Sequence, residues 1–288
     1  MESRFLYNRP YTGPARAVVL DWAGTAVDYG CRGPVRVFVD VFAAEGVAVT
    51  EAEARQFMGL AKKDHIRAMG GLETVANRWR EVRGATPDES DVDRMYQATE
   101  PMMVAAAARH ADPIPGLLET VTALRDRDIR IGTSTGYTAP MMAALVPEAE
   151  KQGYRPDAVF CASDVPAGRP FPWMCYRNAM ALGVYPMAAM IKVGDTISDI
   201  QEGRNAGMWT VGVTRSGNEM GLAEAEIDAL DPTERDRRLS EIDERFRAAG
   251  AHFVIEGVWD LMPVVDAVEK RLARGETPLP APAEMSGS

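Results

Sequence analysis

Six short apolar runs, at 17–20, 129–132, 158–161, 190–193, 209–213 and 252–255, constrain the fold of this chain more than any other feature. Each is too short for a helix and is bounded by small or polar turn residues, which is the pattern of a strand buried on both faces. From residue 114 onward, segments with helical spacing of apolar residues separate these runs. Strands alternating with helices predict an α/β fold, a doubly wound, mostly parallel Rossmann-like sheet. In such a sheet ligands bind just beyond the carboxyl ends of the strands. The first run ends directly in Asp21, and Gly24 then allows a tight turn before Thr25. Asp21 is therefore expected where a reacting carboxylate would stand.

Between the first and second runs the pattern changes. Residues 30–108 carry no convincing strand and read as helix throughout. Pro34 suits a first helical position, with a helix ending near Gly46. Thr50 and Glu53 have the spacing of a capping box. Gly59 interrupts the next helical run, residues 72–82 continue it, residues 84–90 read as a loop, and 91–110 as a long helix. An insertion after the first strand hangs over the carboxyl ends of the sheet and can act as a lid. The expected organisation is a loose N-terminal tail at 1–14, an α/β core domain at 15–29 and 109–274, a helical cap domain at 30–108, and a disordered Pro/Ser-rich tail at 275–288. Residues 214–250 read as an acidic, helical excursion from the core.

The formal net charge of −10 argues against nucleic acid or an anionic membrane as partner. Three widely spaced cysteines, Cys31, Cys161 and Cys175, suit a reducing compartment better than a disulfide framework. No apolar run has the length of a membrane span, and the N-terminal residues lack the apolar core of a secretory signal. The expected location is the cytoplasm, and the expected partner a small molecule.

Four strand ends deliver chemistry to one face. Asp21 follows the first run, Ser134 and Thr135 the second, Arg169 lies in the loop after the third, and Asp195 and Asp199 follow the fourth. A carboxylate attacking phosphorus needs a divalent cation to relieve charge repulsion, donors for the phosphoryl oxygens, and a fixed cation for the remaining charge. Asp21 with Asp195 offers hard oxygen ligands that suit magnesium. Thr135 offers the hydroxyl and Arg169 the cation.

This ordered set resembles the haloacid dehalogenase superfamily, whose members mostly transfer phosphoryl groups through an aspartate nucleophile. The resemblance covers residues 17 to about 260. It implies an aspartyl-phosphate on Asp21, and magnesium held by Asp21, the backbone carbonyl of Ala23 and Asp195, with Asp199 in support. Ala23 departs from the superfamily pattern. Most of its phosphatases carry a second aspartate there, which protonates the leaving oxygen, and alanine cannot transfer a proton.

The helical block supplies another route. In MGLAKKDHIRAM, helical spacing puts Met58, Lys62, His65 and Met69 on one face, while Lys63 points about 100° away. Partial burial of Lys62 would lower its pKa and make a reactive amine. The segments DWAGTAVDYGC, MGLAKKDH, TSTGYT, DVPAGRPFPWMCY, IKVGDTISD and EGRNAGMWTVGV together resemble the phosphonatase family. Members of that family cleave the phosphorus–carbon bond of phosphonoacetaldehyde in 2-aminoethylphosphonate degradation, using a lid lysine that forms a Schiff base. The resemblance gives that role to Lys62, proton shuttling to His65, and substrate contacts to Met58, Gly59, Cys31 and Tyr137. It also implies a homodimer formed through the cap, with helix 34–45 as a candidate surface. His110 and His252 are expected to be structural. Two other readings stay open at this point: a magnesium-dependent phosphatase or mutase of the same superfamily, and a non-catalytic phosphate-binding protein.

Overall fold

The structure, a computed structural model, describes residues 10–58 and 60–278. Strands β1 (Ala17–Leu20), β2 (Arg130–Thr135), β3 (Ala158–Cys161), β4 (Met190–Gly194), β5 (Trp209–Val213) and β6 (Phe253–Ile255) form one parallel sheet in the order β3-β2-β1-β4-β5-β6. The order reverses beside β1, so the crevice for a ligand opens between the carboxyl ends of β1 and β4. Leu20 is in register with both Thr133 and Val193. The residue after it, Asp21, therefore leaves the sheet at that crevice.

Alternation along β1 explains the layering. Val18 and Leu20 belong to one apolar cluster, which includes Leu117, Leu145, Val265 and Val268. Ala17 and Val19 belong to another, with Cys175, Ala179 and Leu182. Successive strand residues face opposite sides. Helices α6 (Leu117–Arg125), α7 (Ala139–Lys151) and α12 (Leu261–Ala273) supply the first cluster, and α8 (Trp173–Leu182) the second. A third cluster joins α9 (Ile197–Ala206) through Ile200 to Ile227 of α10 (Glu224–Asp228) and to Ile242 and Phe246 of α11 (Pro232–Ala248). The acidic excursion is thus helical, as its composition suggested.

The insertion after β1 consists of α1 (Arg32–Ala44), α2 (Glu51–Arg55), α3 (Lys62–Gly71), α4 (Glu73–Arg83) and α5 (Glu89–Arg109). Several local expectations need correction. Helix α1 starts before Pro34, because the Asp28 carboxylate accepts from the backbone N–H groups of Arg32 and Gly33, both at 3.1 Å. A side-chain acceptor satisfies donors that a helix start would otherwise leave free. Asp88 does the same for α5, accepting from Ser90 and Asp91, so that helix starts at Glu89 and not at 91. The Thr50/Glu53 capping box is present in full. The apolar face of α1 is not a free dimer surface. Val35, Phe38, Val41 and Phe42 are buried within this chain, with Phe42 edge-on to Trp79 at 6.0 Å.

Among the described residues, no helix is long and apolar enough to cross a membrane. Of the two expected tails, 1–9 and 279–288 lie outside the described residues. Residues 275–278 lie against the core, where the backbone carbonyl of Pro278 is 2.7 Å from His252 Nε2.

Candidate active site

Asp21 emerges from β1 with its N–H donating to Val193 O at 2.9 Å, which ties it to the end of β4. The turn that follows is possible only with glycine. Gly24 has φ +81, and a Cβ there would lie 2.1 Å from Asp195 Oδ2. Asp195 follows β4, and its carboxylate accepts from the N–H of Asn218 at 2.7 Å and from Thr25 Oγ1 at 3.4 Å. Asp199 sits in the first turn of α9, accepting from Thr196 Oγ1 at 2.6 Å and from Lys192 Nζ at 2.5 Å. One carboxylate oxygen from each of Asp21, Asp195 and Asp199 lies within 4.8 Å of the others, all buried. Burial together with the facing Asp21 and Asp199 carboxylates pushes the Asp195 pKa well up. Like charges this close favour ionisation only beside a cation. A hard, all-oxygen set of this kind can hold a divalent metal.

Arg169 is the fixed cation. Its Nη2 donates to Asp21 Oδ1 at 2.7 Å and to Ser134 O at 2.6 Å, and lies 3.0 Å from Asp199 Oδ1. Burial opposes the ionisation of Asp21, yet Arg169 and Lys192 outweigh it and hold the carboxyl below its usual range. Thr135 closes β2, and its Oγ1 accepts from Tyr137 N at 3.2 Å.

The helical block brings Lys62 to this face. Lys62 opens α3 and is 6% exposed, with Nζ 5.1 Å from the Tyr137 ring centre and 5.6 Å from that of Phe38. Burial pushes its pKa down to about 8; the Asp21 carboxylate pulls it up only in part, and Arg169 adds to the fall. Lys63 points away and pairs with Asp93. His65 is buried, stacked on Phe38 at 3.7 Å, with Nε2 2.8 Å from Ala54 O. Burial, with Lys62 adding to it, lowers its pKa to about 3, so the ring is neutral. A carbonyl only accepts, so Nε2 carries the proton and Nδ1 the lone pair. Nδ1 is buried without a partner among the described residues.

Asp21, Ala23, Cys31, Met58, Lys62, Thr135, Tyr137, Arg169 and Asp195 line one cavity of about 20 Å³, together with Gly136 and Thr196. Asp199 and His65 stand behind this lining, and Gly59 lies outside the described residues. Met58 departs from its expected position: it precedes α3 in a turn and does not share that helix with Lys62. Cys31 is buried, and burial with nearby Asp195 and Asp28 pushes its thiol well up, so it is no thiolate nucleophile. His110 pairs with Asp28 at 3.3 Å, and His252 Nδ1 lies 2.8 Å from Thr210 Oγ1. Both are away from this cavity.

Lys192 and Glu202 were not among the residues singled out from the sequence, and both are fully buried beside Arg169 and Asp199. A signal existed. Lys192 is a charge inside a fully buried strand, which demands partners. Glu202 follows Asp199 by three residues and so shares its helical face.

A parallel sheet with an aspartate after β1, a hydroxyl at the end of β2, a cation after β3 and paired aspartates after β4 defines a class. The sequence model of the haloacid dehalogenase-like hydrolase family matches residues 15–207. The chain is 57% identical over 274 residues to a phosphonoacetaldehyde hydrolase-like protein of Syntrophobacter fumaroxidans, covering 95% of this chain and 99% of that protein. It is 54% identical over 274 residues, with the same coverage, to a phosphonoacetaldehyde hydrolase of that organism. A crystal structure of a phosphonoacetaldehyde hydrolase-like protein from Oleispira antarctica superposes with TM-score 0.92 at 42% identity, covering 95% of this chain and 99% of that one. The chain belongs to the haloacid dehalogenase-like hydrolases and, among them, to the phosphonoacetaldehyde hydrolase family.

Proposed function

We propose that this enzyme hydrolyses the phosphorus–carbon bond of phosphonoacetaldehyde to acetaldehyde and phosphate, within the breakdown of 2-aminoethylphosphonate. One observation carries the reading. The same small cavity is lined by the Asp21 carboxylate and the Lys62 amine, and Ala23 stands where a proton donor for an oxygen leaving group would be. A carbon leaving group needs an electron sink and no such donor.

Lys62, with its pKa lowered to about 8, has a reactive neutral fraction near neutral pH. Its Nζ adds to the aldehyde carbon, the carbonyl oxygen leaves as water, and an iminium remains. The family resemblance gives proton shuttling to His65, whose Nδ1 has no partner among the described residues but whose lowered pKa makes it a weak base. Asp21 then attacks phosphorus. The oxygen–phosphorus bond forms, the phosphorus–carbon bond breaks, and its electron pair moves into the iminium to give an enamine. The enamine takes up a proton on carbon, and water releases acetaldehyde and free Lys62. A second water releases phosphate from Asp21. Arg169 and Thr135 hold the phosphoryl oxygens. The carboxylates of Asp21, Asp195 and Asp199 fit magnesium, the family resemblance adds the Ala23 carbonyl and gives Asp199 a supporting place, and the ion would offset repulsion between the carboxylate and the phosphonate.

Residues 30–108 act as a cap that opens for substrate, since a cavity of about 20 Å³ holds little more than one water. Arg55 of α2 and Asn218 of the loop after β5 exchange two hydrogen bonds, at 3.4 and 3.3 Å, that fasten the closed form. Protease cleavage at 29–33 and 108–115 should slow when magnesium and an unreactive phosphonate analogue are added. Unchanged cleavage at saturating analogue would count against a moving cap. Following its family resemblance, the enzyme is read as a homodimer paired through this cap, which sedimentation at micromolar concentration checks.

The deciding experiment is incubation with phosphonoacetaldehyde, assaying both products. Phosphate and acetaldehyde should appear in equal amounts. Phosphate released from simple esters, with none from phosphonoacetaldehyde, would replace this reading with an ordinary phosphatase.

A further inference from the structure

Glu202 lies on α9, three residues after Asp199, and is fully buried. Its Oε2 accepts from Ser134 Oγ at 2.9 Å and from Arg169 Nε at 3.2 Å, and lies 3.7 Å from Lys192 Nζ. Its Oε1 has no partner among the described residues. Arg169 thus lies among three carboxylates: Nε is held by Glu202, while Nη2 reaches Asp21 at 2.7 Å and Asp199 at 3.0 Å. Glu202 does not line the cavity where Lys62 and Asp21 meet.

We propose that Glu202 is the positioning residue that makes Arg169 transferable from Asp21 to the phosphoryl group. This rests on the reading of Asp21 as the attacking carboxylate. Without an anchor on its Nε edge, a buried guanidinium held at Nη2 by Asp21 and Asp199 would stay there and weaken Asp21 as a nucleophile. The Glu202 carboxylate holds the Nε edge in place and shares the charge. Nη2 is then free to pass from Asp21 to a phosphoryl oxygen while the guanidinium stays anchored. Ser134 keeps Glu202 oriented, and Lys192 stabilises its charge from behind.

Glu202→Gln tests this with little change of shape. An amide oxygen can replace Oε2, and the amide nitrogen can take the unpartnered Oε1 position, so only the charge is removed. With magnesium present, kcat for phosphonoacetaldehyde should fall by at least about tenfold. Orthophosphate, measured by calorimetry without turnover, should bind several-fold more tightly, because Arg169 then shares its charge with one carboxylate fewer. Glu202→Asp keeps the charge and withdraws it by one methylene. It should lower kcat by less and leave orthophosphate affinity near wild type; this variant carries the test if Glu202→Gln does not fold. A merely structural role would weaken orthophosphate binding and turnover together, in step with a loss of thermal stability. That result, or wild-type kcat in both variants, overturns the proposal. If wild-type enzyme fails to cleave phosphonoacetaldehyde, the functional reading falls, and the orthophosphate arm still tests the hold of Glu202 on Arg169.

Discussion

Two lysines are buried in this protein, one in each half of the site, and their environments drive them in opposite directions. Lys192 lies in the sheet with Asp199 at 2.5 Å and Glu202 at 3.7 Å. Burial works against its charge, but these carboxylates and Asp21 outweigh both burial and Arg169, and its pKa is raised. Lys62 lies in the helical block against the rings of Tyr137 and Phe38 and has no hydrogen-bond or ion-pair partner among the described residues. There burial wins, and the pKa falls to about 8. Equal burial yields a raised pKa in one case and a pKa lowered to about 8 in the other. The deciding quantity is whether an anion sits within contact distance. The sheet half is built to hold charge, and the helical half is built to discharge one amine.

The largest expected effect breaks the helical half. Lys62→Arg keeps a cation that cannot give a productive iminium, since guanidinium stays protonated. Turnover of phosphonoacetaldehyde should drop by several orders of magnitude, with phosphate binding retained. Borohydride added during wild-type turnover should leave a reduced adduct on Lys62. Half-buried Lys63, paired with Asp93, should carry none, and Lys63→Arg should resemble wild type. An adduct on Lys63, or an active Lys62→Arg enzyme, would sink the mechanism.

Breaking the sheet half comes next. Asp21, Asp195 and Asp199 crowd together, so activity should vanish with chelator and return with magnesium. Asp195→Asn should weaken magnesium binding, measured by calorimetry, while the circular-dichroism spectrum stays unchanged. Full activity in a metal-free preparation would rule out the assignment.

The stability of the two lysine variants should then differ in sign. Lys192→Met strands Asp199 and Glu202 beside a missing cation and should cost about 3–5 kcal/mol, read by urea unfolding. Lys62→Met removes an unpaired buried amine and should stabilise the protein at pH 7. A fall from 10.5 to about 8 corresponds to a penalty of about 3 kcal/mol. The folded-state pKa lies below the unfolded one, so the unfolded chain binds more protons between about 8 and 10.5. Wild-type stability should therefore rise with pH through that window, and the advantage of Lys62→Met should shrink across it. A destabilised Lys62→Met protein at pH 7 would mean that Lys62 has a partner.

The sheet, the helical insertion and the residues at four strand ends were legible in the amino-acid order, because each depends on local pattern. An apolar run with a polar end makes a strand and its exit, and the three- and four-residue spacing separates Lys62 from Lys63 without reference to anything distant. Met58 shows where local pattern fails: it lies in a turn, and the helix that carries Lys62 starts only at Lys62. What only the tertiary structure decided is the pairing of charges. Arg169 meets Asp21 across 148 residues of chain and Glu202 across 33, and Asn218 reaches Asp195 across 23. Periodicity says which way a side chain points along its own helix or strand. It does not say which side chain of another element stands opposite, and at the distances of a buried site that opposing group sets whether a lysine's pKa rises or falls.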